Sequence, residues 1–128
     1  MNYYNSISRI QSAVSKLDKF FIVSEGSSTM NIGRTLLMNT KARQRLDAGT
    51  FGTMGIGFGF AIAAQHLHPD HKVVMLEGDS GFGFSAMELE TAARYNMPLK
   101  CIIINNSGIM FGTDSLEGVS NPNDVPAN

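Results

Sequence analysis

The chain has 128 residues, 43% of them hydrophobic and 16% charged, with a formal net charge of −1. So even a balance gives no electrostatic case for nucleic acid or an anionic membrane surface as partner, and the longest apolar run falls far short of the roughly 20 residues of a membrane span. The expectation is one soluble globular domain with a buried core and, since Met1 opens directly on a polar-aromatic stretch, no secretory leader.

Tyr3, Ile7, Ile10, Val14 and Leu17 recur at helical spacing and predict a first helix, and Phe20 to Val23 reads as the first strand. Ser24-Glu25-Gly26-Ser27-Ser28 follows as a strand-to-helix loop, then a short helix carrying Met30, Leu36 and Leu37. Beyond a polar link through Asn39-Thr40-Lys41, Arg45-Leu46-Asp47-Ala48 predicts a short extended segment. The stretch from Gly49 to Gly59 holds five glycines but lacks dinucleotide-fingerprint spacing, and no strong strand leads into it. In a helix each glycine costs about 1 kcal/mol against alanine. Two reasons for them stand side by side: close packing of a helix on a neighbour, or contact with a cofactor.

His66, His68 and His71 flank a proline turn after a helix, so their imidazoles need not converge on a metal, and a solvated helix end is the better reading. Lys72-Val73-Val74-Met75-Leu76 and Lys100-Cys101-Ile102-Ile103-Ile104 are continuous, β-branched apolar runs, the pattern of strands buried on both faces of a parallel sheet. Between them Ser85 and Glu88 read as a capping box opening a helix with apolar Met87, Leu89, Ala92 and Ala93, which Pro98 closes. The two strands are therefore expected to be neighbours in a β-α-β unit, in an α/β fold whose parallel sheet has helices on both faces. The single cysteine, Cys101, reads as a reduced core thiol. Residues 112–128 are polar and rich in Asn, Asp and Pro, and predict loop or disorder after a domain spanning 1–111.

The two apolar strands end in Gly78-Asp79-Ser80 and Asn105-Asn106-Ser107-Gly108, which puts Asp79 and Asn106 27 positions apart. Ligands of open α/β sheets bind beyond the carboxyl ends of the strands. A carboxylate from Asp79, an amide oxygen from Asn106 and the backbone carbonyl of Gly108 are hard ligands suited to magnesium. Ser80 and Gly81 offer a hydroxyl and an unshielded N–H to a phosphate. Each motif alone is an ordinary turn; with this spacing and an intervening helix, the two together describe a magnesium-diphosphate site. A phosphoryl-accepting Asp79 in a receiver-like domain would also end a strand, but leaves Asn105 to Gly108 and the glycine stretch without a role.

These residues resemble the signature of the thiamine-diphosphate-dependent enzymes, Gly-Asp-Gly followed at strand spacing by Asn-Asn, with Ser80 in place of the commoner third glycine. Val23-Ser24-Glu25-Gly26, Arg45 to Thr50, Glu77 to Ser85, Arg94-Tyr95-Asn96 and Met1 to Tyr4 extend the similarity over nearly the whole chain, in the manner of the 2-hydroxyacyl-CoA lyases and oxalyl-CoA decarboxylases. The resemblance implies the diphosphate-binding domain of the thiamine diphosphate-binding fold, holding thiamine diphosphate and Mg2+. By position, Gly78, Asp79, Ser80, Gly81, Asn106, Gly108 and Ile109 would meet the cofactor, with Asp79, Asn106 and Gly108 as metal ligands. Gly52 would present its carbonyl to the aminopyrimidine, and Met54 would be the wedge that keeps the cofactor bent. Ser27 and Ser28 would reach the diphosphate, although small hydroxyls there equally suit a helix N-cap. Met110 stands where relatives often have tyrosine.

The implied chemistry is cofactor-borne cleavage of a carbon–carbon bond. A lyase would split a 2-hydroxyacyl-CoA to formyl-CoA and an aldehyde; a decarboxylase would convert oxalyl-CoA to formyl-CoA. Phe51-Gly52-Thr53-Met54 tilts the reading toward the lyase. The family's pyrimidine-bonding glutamate belongs to a separate, preceding domain, and none of Glu25, Glu77, Glu88, Glu90 and Glu117 lies in a matching context. No catalytic residue is therefore expected in this chain, which reads as a fragment inactive alone. Its expected partners are the pyrimidine-binding domain of the same or another subunit, an acyl-CoA substrate and, at full length, further copies in a homo-oligomer. A peroxisome suits a eukaryotic lyase and the cytosol a bacterial decarboxylase, while Pro126-Ala127-Asn128 is not the peroxisomal tripeptide. The other readings are a non-catalytic magnesium-diphosphate module and a fragment that folds poorly because Phe58 and Phe60 lie bare.

Overall fold

The computed structural model describes residues 2–109; the expected boundary at 111, the tail 112–128, Met110 and Glu117 lie outside them. In chain order the elements are α1 (Tyr3–Val14), β1 (Phe20–Ser24), α2 (Ser27–Leu36), β2 (Arg45–Asp47), α3 (Gly57–Leu67), β3 (Lys72–Gly78), α4 (Asp79–Ser85), α5 (Glu88–Arg94) and β4 (Lys100–Ile104). All strand pairs are parallel, in the order β2-β1-β3-β4. Ile22 lies opposite Val74, and Leu76 opposite Ile102.

The two-residue period of β3 divides the core. Val74 and Leu76 pack with Ile7, Val14, Phe20, Ile22 and Leu37 under α1 and α2. Val73 and Met75 face the other way and pack with Val23, Phe58, Ala61 and Ala64 of β1 and α3. Each fully buried side chain of this kind contributes roughly 1.5–3 kcal/mol, so the central strands anchor two layers at once. The chain leaves β1 toward β2 but leaves β3 toward β4, on the opposite side. A topological switch point therefore opens between the carboxyl ends of β1 and β3.

Several local expectations give way to this packing. Ser85 and Glu88 form no capping box: Ser85 is the last residue of α4, the N-cap of α5 is Met87, itself already in the helical region, and no side chain caps that helix. The reason is that α4 starts at Asp79, so Ser85 never adopts the extended conformation an N-cap needs. The linking segment is thus two short helices, and Met87 is exposed. β4 is an edge strand among the described residues, with Ile103 exposed and Cys101 half-buried, rather than buried on both faces. Burial, and then the Glu77 carboxyl, push the Cys101 thiol up to about 11, which suits an unreactive reduced thiol.

The glycine stretch is not helical before Gly57. Gly49, Gly52 and Gly55 instead take positive φ in successive turns, which accounts for three of the five glycines without helix packing. Phe58 is fully buried and Phe60 half-buried, so neither lies bare; within this stretch Phe51 is the exposed aromatic, at 94%. Phe58 lies on the core-facing side of α3, whereas Phe51 belongs to the turns that precede that helix.

Candidate functional site

A cavity at the switch point is lined by Ser27, Ser28, Met54, Gly78, Asp79, Ser80, Gly81, Asn106, Gly108 and Ile109. These are all the sequence-predicted site residues but one. Tyr3, Gly26 and Thr29 complete the wall. The exception is Gly52, which lines an adjoining cleft of about 470 Å³ with Met30, Asn31, Arg34 and Thr50. Gly26, Ser27 and Met54 border both spaces.

Asp79 and the β4 end meet directly. Gly108 N donates to Asp79 Oδ2 at 3.0 Å, closing the gap between the two strand ends. Ser107 reaches this turn at φ 63, supported by its N–H donating to Asn105 Oδ1 at 2.8 Å. Asn105 therefore shapes the turn, while Asn106 faces the cavity.

Helices α2 and α4 both start at this cavity. Gly26 is the N-cap of α2 and Gly78 that of α4, and neither helix start has a side-chain capping bond. Ser27 and Ser28 therefore lie within the first turn of α2 and are not its N-caps, which removes the capping role open to them in the sequence. Glycine is required at 26 twice over: its φ is +83°, and a Cβ there would sit 3.0 Å from Gly78 N. First-turn amides without side-chain acceptors, together with a serine-rich lining, suit an anion.

No group of three or more His, Cys, Asp or Glu side chains among the described residues is placed to hold a metal ion. A cation at Asp79 would draw instead on amide and carbonyl oxygens, water and phosphate, the ligand set magnesium favours. This donor set fits a diphosphate paired with a divalent cation. Two of the histidines lie elsewhere: His68 and His71 each pack on Phe21 with ring centroids 5.0 Å apart, at the start of β1, and His71 Nδ1 lies 2.9 Å from Asp70 Oδ1.

The glycine stretch is tied in at both ends. At its start Arg34 makes two 2.9 Å bonds to the Asp47 carboxylate and a third, at 3.0 Å, to the Gly49 carbonyl. The Arg34 bonds to its carboxylate, above all, hold Asp47 below its ordinary range. Gly52 N donates to Ala48 O at 3.0 Å to close the next turn.

At its far end stands a pair the sequence reading missed. Glu25 and Glu77 are fully buried side by side behind the cavity. Glu25 accepts from the backbone N–H of Gly55 and, at 2.6 Å, from that of Gly57. Apart from the neighbouring Glu25 carboxyl, neither carboxyl oxygen of Glu77 has a hydrogen-bond partner among the described residues. Burial first, and the neighbouring Glu25 second, push the Glu77 carboxyl up to about 8, so it is protonated at neutral pH. The available signal was an acidic residue directly after one apolar strand and another inside a second, positions where an unpaired charge is expensive.

Comparison with known proteins agrees with this geometry. The family described as thiamine pyrophosphate enzyme, C-terminal TPP binding domain, matches residues 24–121. The chain is 51% identical over 119 residues to 2-hydroxyacyl-CoA lyase 1 of Mus musculus, covering 90% of this chain and 20% of that protein. It is 56% identical over 91 residues to 2-hydroxyacyl-CoA lyase of Oryza sativa subsp. japonica, covering 71% and 16%. With oxalyl-CoA decarboxylase of Escherichia coli (strain K12) it shares 41% over 128 residues, 98% of this chain and 22% of the relative. The chain thus spans about a fifth of the length of the curated relatives it matches.

Proposed function

The chain belongs to the thiamine pyrophosphate enzymes, within their C-terminal TPP-binding domain, and from that premise we propose that it is the diphosphate-binding part of a larger carbon–carbon lyase, one that cleaves a 2-hydroxyacyl-CoA to formyl-CoA and an aldehyde. The observation that carries this reading is the meeting of Asp79, Asn106 and Gly108 with Ser27, Ser28, Ser80 and Gly81 around one cavity at the switch point.

In this proposal Asp79, Asn106 and the Gly108 carbonyl hold magnesium. Ser27, Ser28, Gly78, Ser80 and Gly81 hold the diphosphate, with the starts of α2 and α4 behind it. Met54 and Ile109 pack against the organic part of the cofactor from opposite chain segments, and Gly52 offers its carbonyl from the adjoining cleft. When bound, thiamine diphosphate supplies the electron sink for breaking a bond beside a carbonyl. The chain's own share is binding, orientation and exclusion of water; it contributes no acid or base of its own. The glutamate that bonds the pyrimidine comes from a pyrimidine-binding domain of the same or another subunit in a homo-oligomer. The compartment is a peroxisome for a eukaryotic lyase and the cytosol for a bacterial enzyme; no helix among the described residues is long and apolar enough to cross a membrane.

A second reading, an oxalyl-CoA decarboxylase part, is favoured by the match to that enzyme over 98% of this chain. Calorimetric titration of thiamine diphosphate with and without magnesium tests the site. Binding that needs magnesium and is lost in Asp79→Ala supports it; equal binding by that variant contradicts it. Co-expression with a pyrimidine-binding domain then separates the two activities, by release of formyl-CoA from a 2-hydroxyacyl-CoA or from oxalyl-CoA.

A further inference from the structure

The Glu25 carboxylate lies at the junction of three segments that border the cavity. It follows β1 directly, and its own N–H donates to Leu76 O of β3 at 3.1 Å. Its two oxygens are taken by the amides of Gly55 and Gly57, which bracket the last turn before α3. Met54, one residue before that bracket, borders both the cavity and the cleft. On the third side stands α4: a Cβ at Gly81 would sit 2.8 Å from Glu25 Oε1. At Gly57 a Cβ would come within 2.8 Å of Glu25 Oε2. Two glycines, on two different helices, thus leave room for one carboxylate.

We propose that Glu25 is a positioning residue for the cofactor: it latches the turn carrying Met54 at a set distance from Gly81 and the diphosphate segment, so that the two ends of one ligand are gripped together. This rests on the thiamine diphosphate reading above. A carboxylate is needed because both partners are donors. Glutamine offers one acceptor oxygen and an NH2 group, a pure donor, which would face one of the two backbone donors and break half of the latch.

The test pairs Glu25→Gln with Glu25→Asp, which keeps the carboxyl group but is too short to reach both amides and serves where the glutamine variant does not fold. Two probes are titrated in the presence of magnesium, thiamine diphosphate and inorganic diphosphate, and amide exchange is followed at Gly55 and Gly57. The expected result is an exchange rate at those two amides raised tenfold or more while the interior of α3 is unchanged. Thiamine diphosphate affinity should fall at least tenfold while inorganic diphosphate affinity stays within twofold, since Ser27, Ser28, Ser80 and Gly81, assigned to the anion, do not belong to that turn. A merely structural role would weaken both probes in parallel, and that result overturns the inference, as does unchanged exchange at Gly55 and Gly57. A wild-type chain that binds neither probe removes the cofactor reading itself and the inference with it, a result distinguishable because the exchange readout needs no ligand.

Discussion

Two glycines on the same helix, two residues apart, should respond to alanine with opposite signs. Neither Gly57 nor Gly59 has a positive φ, so the backbone accepts alanine at both. Within a helix the change from glycine to alanine is worth about 0.5–1 kcal/mol in favour of the folded state. At Gly59 a Cβ would meet nothing within 4 Å, so the gain should appear in full. At Gly57 the Cβ would collide with Glu77 Oε1 and lie 2.8 Å from Glu25 Oε2 and 3.2 Å from Glu77 Cδ. Overpacking costs about 1–3 kcal/mol, and displacing Glu25 weakens its hydrogen bond from Gly57 N, a bond worth about 0.5–1.5 kcal/mol. Partial relaxation of both carboxyl groups leaves a net loss of about 2 kcal/mol. Urea denaturation followed by circular dichroism reads the difference: with a slope of about 1.5 kcal/mol per molar, the midpoint should fall by roughly 1.3 M for Gly57→Ala and rise by about 0.5 M for Gly59→Ala. Midpoints moving in the same direction by the same amount would mean that the two carboxyl groups do not fill the space beside Gly57, and the reasoning would fail.

Phe58→Ala should lower stability by about 3–5 kcal/mol through the cavity it leaves, whereas Phe51→Ala, at a site 94% exposed, should change it by less than about 0.5 kcal/mol; thermal melts of the two variants check this, and comparable losses would place Phe51 in the core. In magnesium-free buffer, Glu77 should make the fold less stable as pH rises. Its carboxyl titrates near its ordinary 4.5 when unfolded and at about 8 when folded, where it faces Glu25, so through that window the unfolded state loses its proton first. Its contribution is a fall of about 1.4 kcal/mol per pH unit, and that component should be missing from Glu77→Gln in urea titrations at pH 5.5, 6.5 and 7.5; equal slopes for the two proteins would contradict it.

Much of the site was legible before any coordinates because its signals are local. The apolar runs at 72–76 and 100–104 are strands wherever they fold, and the motifs that terminate them carry Asp79 and Asn106 to the same sheet edge. Parallel pairing of β3 with β4 then follows from the intervening helical segment. Even the misread capping box at Ser85 left this intact, since one helix or two spans the same crossover.

What the sequence determined by itself is therefore the α/β order, the pair of strand ends and the oxygen-rich chemistry gathered there, all set by periodicity and by residue type at fixed spacing. Only the tertiary structure decided which glycines answer to backbone torsion and which to space, because Gly57 and Gly81 are explained by a carboxylate from another part of the chain. It likewise decided that Phe58 is core and Phe51 surface, that Gly52 borders a second cleft, and that Glu25 and Glu77 share one buried site. Each of these depends on which segments stack against which, and a one-dimensional pattern holds no term for contact between residues 25, 55, 77 and 81 until the sheet has brought them together.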